Sequence, residues 1–202
     1  MGHAYDLLGK TKTAIAYYNG ALDADKKAGR AENSKTKTAL AIAYYKLNMI
    51  EEARLSIPDA NEKNAYKGIH TIINAKYYAS KSQYTKAIAF LDTAMTSPNQ
   101  LEALLTKAQF LILTGKSQEA LTILNDKRRL FNQSKLRNTM ILTQALAYLS
   151  EKRLEDSLNL LESISPPDKI QNLPMIKAIV LLSMGKTDDA LLQLKRSPLP
   201  YR

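Results

Sequence analysis

A small residue occurs at nearly regular intervals along this chain, and the residues around it form the same local pattern each time. The six positions, separated by steps of 39, 34, 33, 37 and 33 residues, are Ala14, Ala53, Ala87, Ala120, Ser157 and Ala190. A period of about 33–40 residues with two amphipathic helices per unit is typical of a helical solenoid, whose long concave face is normally a binding surface. The period therefore predicts an all-α fold with a binding function, and it leaves the ligand open.

Around each of these positions the sequence predicts two helices joined by a short turn, which we name helix A and helix B of a unit. In the clearest example, Gly115 can adopt the left-handed conformation that ends helix A. Glu119 then falls in the first turn of helix B, where the helix dipole favours a negative charge. Ala120 follows, and we expect it to be small because the two helices cross there.

Helix A carries a second regular pair, a small residue followed three positions later by a large one. The small position holds Gly2, Ala41, Ala75, Ala108, Ala145 and Ala178, and the large one holds Tyr5, Tyr44, Tyr78, Leu111, Tyr148 and Leu181. Together with the small residue of helix B, this pattern resembles the tetratricopeptide repeat family over essentially the whole chain. The resemblance implies a right-handed superhelix of antiparallel helix pairs, with about six repeats and about eleven helices.

The same resemblance implies one solenoid domain over residues 1–202, with repeats at approximately 1–30, 34–60, 64–98, 101–130, 136–166 and 170–200. In this register Met1 already lies in the middle of a helix A, so the first repeat is truncated. We therefore expect the chain to be a fragment of a longer protein. We also expect an exposed apolar edge near Tyr5, Leu8 and Tyr18 that drives self-association.

In the tetratricopeptide repeat family, helix A lines a concave groove that holds the partner, and the resemblance carries that role to particular positions of this chain. The implied groove residues are Thr38, Ile42, Tyr45, Ile72, Lys76, Leu105, Gln109, Ile112, Leu142, Leu146, Leu149 and Ile179, with Thr139, Met175 and Leu182 at further groove positions. In the first repeats the implied groove residues are both polar and apolar, and in the last repeats they are apolar. Such a surface suits an amphipathic helix or an extended peptide with apolar anchors.

Some family members hold an acidic C-terminus with a Lys and Asn constellation at two of these positions. This chain has Thr38 and Ile42, then Ile72 and Lys76, in their place. A two-carboxylate clamp is therefore not predicted. The leading interpretation is a protein-interaction or assembly scaffold that binds a partner peptide or helix in its groove. An alternative from another class is the sensor or ligand arm of a larger regulator, such as a transcriptional activator, which the truncated first repeat suggests.

The chain is basic, because 29 Lys and Arg residues oppose 19 Asp and Glu residues to give a formal net charge of +10. Two longer linkers concentrate part of this charge in basic turns, formed by Lys26, Lys27, Arg30, Lys127, Arg128 and Arg129. These turns raise a second alternative, direct binding of nucleic acid. The excess charge is shared equally between the two halves of the chain and forms no single stripe, so nucleic acid is not the partner that we expect.

Catalysis is not predicted. The chain has no cysteine and only two histidines, which argues against a transition-metal site, and no motif for a cofactor is present. The acidic pairs Glu51-Glu52, Glu155-Asp156 and Asp188-Asp189 all open a helix B, where the helix dipole explains them. His70 falls among isoleucines of a helix A, where a structural role is the expectation.

The sequence predicts neither a membrane span nor a signal peptide, because no apolar run approaches 18 residues and no basic region precedes an apolar core at the start. The cytoplasmic and the periplasmic side of a cell are both compatible with this composition. Dispersed lysines and short linkers are features that we associate with bacterial repeat proteins.

Overall fold

The computed structural model describes residues 1–58, 67–94, 99–165, 170 and 172–195. Within these ranges the chain forms thirteen α-helices and no β-strand, which confirms the all-α fold class. The helices are α1 Gly2–Leu7, α2 Thr11–Lys27, α3 Ser34–Lys46, α4 Ile50–Leu55, α5 Lys67–Ser80, α6 Tyr84–Asp92, α7 Gln100–Leu113, α8 Ser117–Asp126, α9 Arg128–Asn132, α10 Arg137–Ser150, α11 Leu154–Glu162, α12 Leu173–Ser183 and α13 Thr187–Lys195.

Twelve of these helices form six A–B pairs, and α9 is the additional one. The sequence predicted about eleven helices and missed α9, which lies in the basic linker of the 37-residue step. This short helix forms around Phe131, whose side chain is completely buried. The predicted repeat boundaries at residues 60, 64, 98, 166 and 200 lie outside the described residues.

The recurring small residues occupy the interior of every pair. The side chains at Ala14, Ala53, Ala87, Ala120, Ser157 and Ala190 are all completely buried. The small residues of helix A are buried as well, from Gly2 in α1 to Ala178 in α12. Because a small side chain on each helix allows two helix backbones to approach closely, these residues set the A–B packing.

Every turn from helix A to helix B has the same backbone conformation. Five residues before each buried small residue of helix B, one residue has a positive φ: Gly9, Asn48, Ser82, Gly115, Lys152 and Gly185. The next residue donates its backbone N–H to the carbonyl of the large residue of helix A, as Lys116 does to Leu111 over 2.8 Å and Arg153 to Tyr148 over 2.9 Å. This is the Schellman motif, which satisfies the last carbonyls of helix A and fixes the point where helix B starts.

The chain divides into two compact units, which we name the N-terminal unit (Met1–Ala103) and the C-terminal unit (Leu104–Arg202). In the N-terminal unit, helices that are adjacent in sequence from α1 to α6 pack on one another. In the C-terminal unit, α10 packs on α8, α9 and α11, and α12 packs on α11 and α13. Each helix A is thus held mainly by its neighbours along the chain, as expected for a repeat array.

Candidate functional site

The groove residues predicted in the N-terminal unit divide into interior and partly exposed positions. Thr38 and Ile72 have exposed fractions of 2% and 0%, so these two residues belong to the core and not to a binding surface. Each lies three residues before the buried small residue of its helix, and residues at that spacing share one helix face. Ile42, Tyr45 and Lys76 are half-buried.

Tyr45 and Lys76 are engaged with each other and with Glu102. The Tyr45 hydroxyl donates a hydrogen bond of 2.8 Å to Oε1 of Glu102, and the Lys76 ammonium lies 4.8 Å from the centroid of the Tyr45 ring. Burial, reinforced by the charge of Glu102 and the hydrogen bond to it, raises the pKa of Tyr45. Burial also lowers the pKa of Lys76, and the charge of Glu102 opposes that shift. These contacts join α3, α5 and the first turn of α7.

In the C-terminal unit one predicted groove residue is again interior. Leu105 has an exposed fraction of 3% and, like Thr38 and Ile72, precedes its small helix A residue by three positions. The residues that directly follow the small residue are more accessible: Gln109 is half-buried, and Leu146 and Ile179 have exposed fractions of 37% and 45%. The resemblance to the family placed Thr38, Ile72 and Leu105, each three residues before the small residue of helix A, on the groove surface. That prediction was wrong for these three residues, because their side chains are buried.

A groove of about 710 Å³ lies within the C-terminal unit, and we name it the C-terminal groove. Its lining residues are Gln109, Lys135, Asn138, Thr139, Leu142, Thr143, Leu146, Ile170, Asn172 and Ile176. They come from α7, from α10 with the turn before it, and from the start of α12 with the residues before it. The structure therefore brings together four of the predicted groove residues, Gln109, Thr139, Leu142 and Leu146.

The lining of the C-terminal groove combines apolar and polar side chains. Leu142 and Leu146 lie one turn apart on α10, Ile176 lies near the start of α12, and Ile170 precedes that helix. The side chains of Gln109, Asn138 and Asn172 carry amides, which can both donate and accept hydrogen bonds. Lys135 supplies a positive charge. Such a surface can hold a peptide through apolar contacts and peptide-backbone hydrogen bonds.

The other predicted groove residues of the C-terminal unit lie outside this lining. Ile112 and Leu149 are half-buried, and Ile179 is exposed on α12. Sequence reasoning missed six lining residues: Lys135, Asn138, Thr143, Ile170, Asn172 and Ile176. The repeat pattern did not indicate them clearly. Lys135, Ile170 and Asn172 precede the regular part of a helix A, and Ile176 directly follows the predicted Met175.

The predicted basic turns are exposed in the structure. Lys26 and Lys27 end α2, and Arg30 pairs with Asp25 over 2.9 Å, which offsets part of the positive charge of the first turn. In the second turn, Lys127 precedes α9, while Arg128 and Arg129 form its first turn. All three side chains are exposed.

The predicted apolar edge of the first repeat is only partly as expected. Leu8 is exposed, and Tyr5 is half-buried, with its ring stacked on Tyr17 at 5.1 Å between centroids. Tyr18 instead belongs to the core, where it packs so closely on Gly2 that a Cβ atom there would lie 2.7 Å from the tyrosine ring. Self-association through this edge stays a prediction.

The remaining titratable residues have structural surroundings. The acidic pairs lie in the first turns of α4, α11 and α13, as the sequence predicted. His70 is buried in α5, and this burial lowers its pKa. Nowhere in the described ranges do three or more His, Asp or Glu side chains come close enough to hold a metal ion. Among the helices that the structure describes, none is both long enough and apolar enough to cross a membrane.

Comparison with known families supports the repeat assignment. The family model of the tetratricopeptide repeat matches residues 1–27, and that of anaphase-promoting complex, cyclosome, subunit 3 matches residues 80–164. No curated protein matches this chain by sequence.

Several solved structures share the fold. A tetratricopeptide repeat protein from Parabacteroides merdae aligns with a TM-score of 0.68 and 17% identity, over 96% of this chain and 75% of that one. MamA of AMB-1 aligns with a TM-score of 0.57 and 12% identity, over 79% of this chain and 94% of that one. MamA of MSR-1 gives a TM-score of 0.55 at 12% identity, with 81% of this chain and 93% of that one covered.

The paired helices, their buried small residues and their uniform turns define an all-α helical-repeat protein. Residues 1–27 match the tetratricopeptide-repeat family model, and the fold of the chain is that of tetratricopeptide-repeat proteins. The fold of this class is typically a non-enzymatic scaffold for protein–protein interaction.

Proposed function

We propose that this chain is a protein-interaction scaffold, and that the C-terminal groove holds a segment of its partner protein. The observation that carries the proposal is that Leu142, Leu146 and Ile176 line one groove, which has a volume of about 710 Å³ and also contains side-chain amides in its lining. Apolar side chains in a groove are a recurring way of holding the anchor residues of a peptide or helix. Gln109, Thr139, Leu142 and Leu146 are the predicted groove residues that this proposal retains.

The apolar part of the groove lining can contribute to the binding of a partner. Each 100 Å² of apolar surface that a partner buries there would contribute about 2.5 kcal/mol before the costs of association are subtracted. Those costs consume most of this free energy, so we expect an affinity in the micromolar range for a single short segment. Leu146 should contribute strongly because it projects from the middle of α10 and is the most exposed of the groove leucines.

A selection from a random peptide display library tests the proposal. The full chain is immobilised, and the selected peptides are then measured against Leu146→Gln, which removes apolar contact without adding charge. Leu192→Gln is the matched control, because Leu192 is similarly exposed on α13, outside the groove lining. We expect Leu146→Gln to weaken the selected peptides about tenfold and the control to leave them unchanged. If no selected peptide distinguishes the two variants, the groove is not the site.

A further inference from the structure

Acidic and basic residues are segregated between the two kinds of helix in the C-terminal unit. Helices α10 and α12, and α7 from Leu104 onward, contain no Asp or Glu. The same helices and the linker around α9 carry seven basic residues, Lys107, Lys127, Arg128, Arg129, Lys135, Arg137 and Lys177. The B helices α8, α11 and α13 together hold seven acidic residues and a single lysine.

This segregation coincides with the C-terminal groove. All of the groove lining comes from the acid-free helices and from the segments directly before α10 and α12; in the sequence of the second segment, Asp168 is followed by Lys169. Lys135, which is exposed, is part of that lining, and Arg137 starts α10 two residues later. A concave site whose surroundings carry charges of one sign attracts the opposite sign, and its apolar walls weaken solvent screening.

We propose that the partner segment in the C-terminal groove is acidic and amphipathic, with apolar side chains on Leu142 and Leu146 and a carboxylate facing Lys135. This inference rests on the proposed function and adds the chemistry of the partner. The apolar side chains supply affinity, and the carboxylates supply orientation and speed of association. Binding of this segment does not need a pair of lysines that hold a carboxylate between them. The positive potential of the groove and the ammonium group of Lys135 attract its carboxylates instead.

A nucleic acid fits the same charges less well. Its phosphates would meet Lys135, but its bases would have to contact leucine and isoleucine, because the lining that the structure describes contains no aromatic ring. Stacking on aromatic rings is the usual way in which single strands are held. A second copy of this chain is the other occupant to consider, because α13 combines Asp188 and Asp189 with the exposed Leu191 and Leu192. Both occupants are outcomes of the experiment below.

The test uses the peptides selected above that depend on Leu146. Their sequences are read for net charge, and one acidic peptide is synthesised with its Asp and Glu residues changed to Lys. We expect the selected peptides to be predominantly acidic. We expect Lys135→Glu to weaken the acidic peptide about tenfold and to strengthen the charge-reversed peptide. Lys12→Glu is the matched control, because it makes the same change in net charge at an exposed residue of α2 in the N-terminal unit.

Four outcomes would overturn the inference. The selected peptides could depend on Leu146 yet be neutral or basic, in which case the groove binds peptides and only its charge preference is wrong. Lys135→Glu and Lys12→Glu could have equal effects, so that the net charge of the chain and not the groove selects the peptide. A 20-nucleotide thymidine oligomer could displace the peptide as effectively as the unlabelled peptide does. A dimer abolished by Leu146→Gln would assign the groove to a second copy. Peptides insensitive to Leu146 would instead contradict the proposed function itself.

Discussion

At the scale of single residues, the decisive feature is the completely buried small side chain on each helix B. Five of the six positions hold alanine, and Ser157 is the exception. Its hydroxyl donates a hydrogen bond of 2.8 Å to the backbone carbonyl of Ala145, which is the small residue of the preceding helix A. Serine is accepted there because its one polar group is satisfied across the helix pair.

We expect Ala120→Leu to lower the free energy of unfolding by about 3 kcal/mol, because Ala120 is completely buried and the added volume must displace its packed neighbours. Ala89→Leu, at an exposed position of α6, is the control and should change stability by less than about 0.5 kcal/mol. Urea unfolding followed by circular dichroism provides the measurement. Equal effects of the two substitutions would show that the crossing is not size-restricted.

Ser157→Ala removes the hydroxyl group, and with it the hydrogen bond to Ala145, with little change in side-chain volume. We expect the free energy of unfolding to fall by about 1 kcal/mol, the net contribution typical of such a bond. Ser163→Ala in the same unfolding assay is the control, because the Ser163 hydroxyl bonds only to Leu160 at an exposed helix end. A larger loss for the control would contradict the role assigned to Ser157.

At the scale of helices and turns, one backbone conformation is repeated with different side chains. Glycine occupies the positive-φ position in three A–B turns, whereas Asn48, Ser82 and Lys152 adopt it in the others. A side chain with a Cβ atom is disfavoured in this conformation by about 1–2 kcal/mol. The hydrogen bonds that close the turn and the packing of the helix pair hold these three residues there.

Ser82→Gly should therefore stabilise the chain by about 0.5–1 kcal/mol, because glycine adopts the left-handed conformation without strain but loses more conformational freedom on folding. Ser80→Gly is the control, since Ser80 ends α5 and has no positive φ. It should be neutral or destabilising in thermal unfolding. A lower melting temperature for Ser82→Gly would contradict a strained Ser82.

The sequence was sufficient to predict the helix pairs, their small residues and the turn at Gly115, because these features repeat at a fixed spacing. It could not predict α9, since a helix of five residues has no period of its own and depends on the burial of Phe131. The groove was predicted in part. The family positions located Gln109, Leu142 and Leu146, but they placed Thr38, Ile72 and Leu105 on the surface because a pattern does not show how closely neighbouring helices pack. Asn172 and Ile170 lie before a helix, where the pattern carries no information.

At the scale of the whole molecule, the free energy of unfolding depends on pH where a buried group would have to take up a charge. His70 is the buried histidine of α5, and burial lowers its pKa in the folded state. Above about pH 6.5 the imidazole is neutral in both states and costs nothing. As the pH falls below that value the unfolded chain binds a proton first, so the folded state loses stability until the pH passes below the folded pKa.

We therefore expect the free energy of unfolding to decrease as the pH falls below about 6.5, with a contribution from His70 of at most about 1.4 kcal/mol per pH unit. His70→Gln should reduce this slope, and His3→Gln, at an exposed residue of α1, should leave it unchanged. Urea unfolding at several pH values gives the slopes. If His70→Gln and the parent chain respond identically to pH, the histidine is not protonated selectively on unfolding.

The uniform A–B turns also provide a position at which a fluorescent dye can be attached to follow binding in the C-terminal groove. Their closure uses only backbone atoms, so the exposed side chain of Lys152, directly beyond α10, is free to be replaced. The chain contains no native thiol, and Lys152→Cys would introduce a unique attachment point for a fluorescent dye. A dye at the end of the helix that carries Leu142 and Leu146 would report occupancy by a change in emission, in real time and without a labelled partner.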